Sequence, residues 1–287
     1  MDFIKEYLEE FEFSEFVSEV ASNFDLHGFL SGLTFGLIFL LITKIFISKL
    51  PKILMIIIPL IPGLALSFSK VDTSQALNFL DIPISITAAY LYVRFSMSTS
   101  RSFLIVLKQD SSKFQEVIIV TSFLIVCLTG FILYNCFEKS NEAYAVYGLS
   151  AITFIITLIC DNGIILDPCL ISLQSITCYS TSYDLSTFIS VLRLSLVLIS
   201  YVSVLFKFPS YEKEDLFIFF KLKKKSTRII FALVMIFYFY ISPSNMWKNG
   251  KNEHVLMQCY SVPILYIVFM IYEKFNLDDP MFYGYST

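Results

Sequence analysis

Side chains able to do chemistry are few in this chain, and they are scattered. Its two histidines, His27 and His254, stand at the edges of apolar runs. No imidazole is therefore left inside a run to bind a metal or relay protons. Six cysteines, Cys127, Cys136, Cys160, Cys169, Cys178 and Cys259, follow none of the C-x-x-C or Cys/His spacings that build a metal site. They read as buried free thiols. Gly148-Leu149-Ser150-Ala151 has the outline of an intramembrane-protease serine motif, but a serine nucleophile needs a base within hydrogen-bond reach, and no neighbouring run holds a histidine. No Asp-x-Asp is present to hold a nucleotide-sugar metal, no two glutamates have the E-x7-E spacing of retaining glycosyltransferases, and no Gly-rich loop could cradle a phosphate. The sequence assigns no catalytic residue, no metal and no cofactor, so the chain does not run a reaction alone.

The remaining candidates are charges near apolar segments. Asp161, Asp167, Arg193 and Lys44 are read as the ionisable groups closest to the interior of those segments, and such groups are costly in hydrocarbon, which marks them as functional or structural sites. Asp161 and Asp167 flank a turn, and Arg193, about two turns into the next apolar run, is expected to pair with one of them. The linker from Lys207 to Arg228 holds seven basic and three acidic side chains. Beside a membrane surface each basic group attracts anionic headgroups by roughly 1 kcal/mol, which makes Lys221, Lys223, Lys224 and Lys225 candidate headgroup ligands. An ordinary topology-fixing flank has the same composition.

The elements that must position these groups are membrane helices. The chain is 56% hydrophobic and only 16% charged, well below the roughly 25% charged residues of soluble domains. Apolar runs recur at Phe29–Ser48, Ile53–Phe68, Ala76–Tyr92, Val117–Asn135, Tyr144–Cys160, Ile164–Cys178, Phe188–Leu205, Ile229–Ile241 and Val255–Tyr272, each near the length that crosses a hydrocarbon core. The fold class that follows is all-α, a polytopic helical bundle of eight or nine crossings spanning residues 29–272. Residues 1–28 carry one lysine against eight acidic residues. They read as an acidic amphipathic N-terminal helix rather than a signal peptide, suited to a basic protein partner or simply solvated. Residues 273–287 form a C-terminal tail.

Charge sorting orders the crossings. Lys and Arg concentrate in cytoplasmic loops, so the basic segments 94–115 and 207–228 are both expected to face the cytosol. An even number of crossings must separate them. Residues 144–178 therefore form a hairpin of two helices around Asp161-Asn162-Gly163, a turn signal, and the C-terminus returns to the cytosol. Three runs precede the first basic segment. The N-terminus is lumenal if all three cross, and cytosolic if Ile53–Phe68, with Pro59 and Pro62, inserts only part-way.

This order of features resembles the PIG-C family, whose members are multispanning components of phosphatidylinositol N-acetylglucosaminyltransferase. The resemblance covers roughly residues 117–282. Gly130-Phe131-Ile132-Leu133, the polar stretch Phe137 to Glu142 and Ala143-Tyr144-Ala145 correspond to a span, a lumenal segment and the next span. Asp161-Asn162-Gly163 stands for an Asp-aromatic-Gly turn, and Ser172-Leu173-Gln174 for a Ser-Leu-Asn motif. Lys274-Phe275-Asn276-Leu277-Asp278-Asp279-Pro280 stands for a Lys-x-Asn-Ile-x-Gly-Pro tail. The family's lumenal Pro, its tail Gly and its tail Trp are missing, and the N-terminal third has one extra apolar run. The resemblance implies a multi-pass, non-catalytic subunit in the endoplasmic reticulum membrane. Its complex would transfer N-acetylglucosamine from UDP-N-acetylglucosamine to phosphatidylinositol, the first step of GPI-anchor synthesis, with catalysis in a separate glycosyltransferase subunit. Asp161, Gly163, Ser172, Gln174, Lys274, Asn276 and Pro280 become family-motif positions, Arg193 a structural one, and phosphatidylinositol and the other subunits the partners. A small channel or transporter of an intracellular membrane, and an assembly factor of the endoplasmic reticulum, fit the same composition.

Overall fold

A computed structural model describes residues 22–47, 50–69, 74–109, 113–135, 141–160, 164–183, 187–203, 225–241 and 253–276. The described residues are helical almost throughout and contain no strand. The helices are α1 (Leu26–Phe46), α2 (Lys52–Ser69), α3 (Ser74–Gln109), α4 (Lys113–Asn135), α5 (Asn141–Cys160), α6 (Leu166–Tyr183), α7 (Thr187–Ser203), α8 (Lys225–Ile241) and α9 (Glu253–Asn276). Five apolar stretches within them are long enough to cross a membrane: Leu26–Lys44, Lys52–Ser69, Gln115–Asn135, Asn141–Cys160 and Val255–Tyr272. Val191–Ser203 and Ser226–Tyr238 are apolar but shorter.

Large apolar side chains lie on the outside. Phe39, Ile61, Phe123, Leu124, Phe131 and Leu158 are all exposed, while serines, threonines and glutamines fill much of the interior. A water-soluble domain does not expose so many large apolar side chains while burying so many polar ones. Lipid tails are as apolar as Leu, so helices in a bilayer gain nothing from hiding Leu; they associate through close packing and polar contacts instead.

Contacts divide the chain into two compact units. The first comprises residues 1–78 and 229–243 and is built on the α1/α2 hairpin. Asp25 is extended and caps α1, accepting from His27 N–H and Gly28 N–H at 3.0 Å each. This residue, read from sequence as part of the acidic N-terminal helix, is a helix cap. The rest of that predicted helix, residues 1–21, lies outside the described residues. Gly28, Gly32 and Gly36 recur every four residues along α1 and face α2. A Cβ on Gly28 would stand 2.7 Å from the Leu66 carbonyl oxygen, and one on Gly32 would overlap the Pro62 carbonyl. Only a hydrogen there lets the two backbones meet. The prolines belong to the same device. Pro62 has no N–H to give Ile58, and the Ile58 oxygen stands 2.9 Å from where a Gly36 Cβ would sit. Phe24 stacks on Phe29 and Phe68 at the hairpin's end, and Leu37, Leu40, Ile230 and Val234 form this unit's core. Lys44 lies in the last turn of α1, where a cation complements the helix dipole, with its Nζ 3.3 Å from Met55 Sδ.

The second unit comprises residues 79–228 and 244–287. At its centre is α6, which packs against α4, α5, α7 and α9. The segment 94–115, expected as a loop, is helical as far as Gln109. Nothing after Pro83 breaks α3, and in its polar stretch Ser100 Oγ bonds back to the Ser96 carbonyl at 3.1 Å. Polarity in that stretch is therefore compatible with helix.

Candidate functional site

The sequence of α6, Leu-Asp-Pro-Cys-Leu-Ile-Ser-Leu-Gln-Ser-Ile-Thr-Cys-Tyr-Ser-Thr-Ser-Tyr, has polar residues on every face. Yet every residue from Ile171 to Ser180 is buried. Its start is set by Asp167 and Pro168. Asp167 N–H donates to the Ile164 carbonyl at 2.9 Å, and Pro168 occupies the first turn, where a missing N–H costs nothing. Asp167 is itself buried.

The polar residues of α6 tie its neighbours together. Tyr92 on α3 donates its hydroxyl to the Leu170 carbonyl at 3.0 Å. Ser175 donates to the Cys259 carbonyl on α9 at 2.8 Å, and the Cys259 thiol returns a bond to the Ser175 carbonyl at 3.1 Å. This reciprocal clasp joins two helices without a single charge. Beside it, Thr157 on α5 and the Tyr266 hydroxyl on α9 are 2.8 Å apart.

One turn from the clasp stands the only described charge in this cluster. Arg193, on α7, is 5% exposed. Its Nη2 donates to Gln258 Oε1 at 3.4 Å, and Cys178 points its thiol at the same oxygen at 3.8 Å. Gln174, one turn before Cys178, donates Nε2 to the Cys178 sulfur at 3.5 Å. Arg193, Gln258, Cys178 and Gln174 thus form one buried polar centre held by α6, α7 and α9.

This placement changes the expected role of Arg193. Cys178 lies eleven residues beyond Asp167 on α6, about 16 Å at 1.5 Å per residue. An arginine that sits against Cys178 and Gln258 does not reach Asp167. The alternative partner, Asp161, lies outside the described residues.

Of the other candidate positions, Ser172 and Gln174 are buried in α6. Lys274, in the last turn of α9, donates Nζ to the Ile159 carbonyl at 2.9 Å. That carbonyl is in the last turn of α5 and has no partner within its own helix, so the lysine acts as a cap supplied from another element. Asn276 is the final residue of α9 and Lys225 the first of α8. Asp161, Gly163, Lys221, Lys223, Lys224 and Pro280 lie outside the described residues. Of the cysteines expected to be buried, Cys160, Cys169, Cys178 and Cys259 are, while Cys127 faces outward.

Sequence reasoning missed Gln258 and Asp81. Each is a polar residue inside a run read as apolar, and each is buried, which by itself is the signal that flags a role. Among the described residues no group of three His, Cys, Asp or Glu is placed to hold a metal ion. The centre can donate and accept hydrogen bonds and carries one fixed positive charge, which suits recognition and positioning.

Compared with known protein families, with curated proteins and with solved structures, the chain matches none of them.

Proposed function

We propose that this protein is a multi-pass, non-catalytic subunit of the endoplasmic-reticulum complex that transfers N-acetylglucosamine from UDP-N-acetylglucosamine to phosphatidylinositol. In this reading the chain crosses the bilayer eight or nine times. A separate glycosyltransferase subunit does the chemistry, and phosphatidylinositol is presented near Lys221, Lys223, Lys224 and Lys225.

One contact carries the reading. The tail segment beginning Lys274-Phe275-Asn276 and the turn Asp161-Asn162-Gly163 are more than a hundred residues apart in sequence and belong to separate pieces of the resemblance. Lys274 Nζ bonds the carbonyl of Ile159, two residues before that turn. The start of the tail segment thus reaches the end of the helix that leads into the turn, which supports a shared structural role for the two motifs. The third piece, Ser172-Leu173-Gln174, lies on the helix that follows the turn and is buried there. The chemistry agrees with a supporting role, since the buried centre has a cation and amides but no base–nucleophile pair.

The test is to purify the tagged protein from its own cells in a mild detergent, identify co-purifying chains by mass spectrometry, and assay transfer of N-acetylglucosamine to phosphatidylinositol. The expected result is a glycosyltransferase chain that co-elutes with the activity. A solitary protein without activity would overturn the proposal.

A further inference from the structure

Arg193 is a permanent charge, because a guanidinium does not give up its proton in a protein. It is 5% exposed and has an amide oxygen, not a carboxylate, as its acceptor. Its Nε and Nη1 have no hydrogen-bond partner, so three of its five N–H groups are unused. Gln174, one turn from Cys178 on α6, also has an unpartnered buried oxygen, Oε1. Burying a charge is tolerable only if an opposite charge and hydrogen bonds compensate it. Among the described residues the chain supplies hydrogen bonds here but no anion.

The depth of the centre indicates where an anion comes from. Arg193 lies six residues inside α7, Cys178 five from the end of α6, and Gln258 five inside α9, which puts all three about 8–9 Å from the same end of the second unit. The headgroup layer on each side of a bilayer is about 5–8 Å thick. Three helices therefore bring the centre to the boundary between headgroups and hydrocarbon, where lipid phosphates are the abundant anions.

We propose that Arg193, with Gln258 and Gln174, is a binding site for a phosphate group at this end of the second unit. The group is the phosphodiester of a phospholipid headgroup or a free phosphate, and it neutralises the guanidinium. This end is opposite to the one where α7 leads into the lysine-rich linker. By the positive-inside rule the site thus serves the other leaflet and is separate from Lys221 to Lys225. It does not depend on the glycosyltransferase reading. Nε and Nη1 are fully enclosed, so the side chains around them must part to admit the phosphate, and a group held there should resist washing.

The experiment uses the full-length protein, with any co-purifying subunits, washed extensively in lipid-free detergent and examined by native mass spectrometry and phosphorus analysis. About one phospholipid per chain is expected to survive washing, and R193Q that remains monodisperse should lose it at least tenfold. Retained phosphorus without lipid mass, lost in the same variant, identifies free phosphate and equally upholds the site. Equal retention by the wild type and R193Q, or no retained phosphorus in the wild type, overturns it. If R193Q does not fold, Q258A takes its place: it should lose the phosphorus likewise, and equal retention by the wild type and Q258A overturns the site. Phosphatidic acid, but not diacylglycerol with the same chains, should raise its melting temperature by several degrees, and an equal shift from both refutes the site.

Discussion

At the scale of single residues, the polar contacts of the second unit differ in how much each one decides. Tyr92 bonds a backbone carbonyl near the start of α6. Interhelical hydrogen bonds in membrane proteins average about 0.6 kcal/mol, so Tyr92→Phe should lower stability by roughly that amount and leave the fold intact, measured by unfolding in mixed detergent. A loss of several kcal/mol would mean that the hydroxyl does more than join two helices. Lys274 is a different case. Its ammonium reaches a carbonyl at the end of another helix, and Lys274 is itself exposed, so the bond is worth little to global stability. Lys274→Ala should barely shift the melting temperature, and Lys274→Met should behave alike. In the proposed complex both should reduce transferase activity severalfold by freeing the end of α5 from α9. Unchanged activity in both variants would remove the contact that carries the functional reading.

At the scale of elements, the glycines of the first unit make a sharp contrast with those of the second. The backbone of α2 occupies the space a Gly32 side chain would need. Gly32→Leu must push the hairpin apart, at a cost of at least the roughly 1–3 kcal/mol of an overpacked core. Gly130 in α4 and Gly148 in α5 have nothing within 4 Å of a built Cβ. Alanine at either should be neutral, or stabilising by up to about 1 kcal/mol through helix propensity, and a ranking of melting temperatures across the three variants checks this. The same elements show what could be read in the sequence. Apart from Ile47, Ile164 and Ile165 at the ends of two runs, every apolar run proved helical over the residues described, as length and apolarity lead one to expect. The boundary at Asp25 was concealed by its neighbours, since a capping aspartate in an acid-rich segment looks like one more surface charge. Residues 94–109 were misread because serine and arginine suggest a loop, whereas a serine that bonds its own helix, as Ser100 does, remains compatible with helix. The burial of α6 was the least legible feature. Its many hydroxyls suggest a weak span, and only packing against four neighbours turns polarity on all faces into the unit's centre. Arg193 was legible as an intramembrane charge, but its partner was not. The pairing rule favours an acid, and here an amide on a helix distant in sequence took that place.

At the scale of the whole molecule, the decisive property is where the charge lies. The chain's net charge is only −3, yet seven of its 21 basic residues fall between Lys207 and Arg228. If that linker recruits the inositol lipid, its effect is electrostatic and must follow electrostatic rules. Each lysine near an anionic surface contributes about 1 kcal/mol, so replacing Lys221, Lys223, Lys224 and Lys225 together by serine weakens lipid engagement by up to about 4 kcal/mol. Screening limits the range to about 8 Å at physiological ionic strength, so the full loss should appear only at low salt. The expected outcome is a transferase whose subunits still co-purify and whose rate at low salt falls well below wild type, with the difference shrinking as salt is raised. Steady-state transfer into phosphatidylinositol vesicles across a salt series measures this directly. A rate that falls equally at every salt concentration would point to a damaged fold. An unchanged rate would reduce the linker to a topology signal and move the search for the lipid site into the helices.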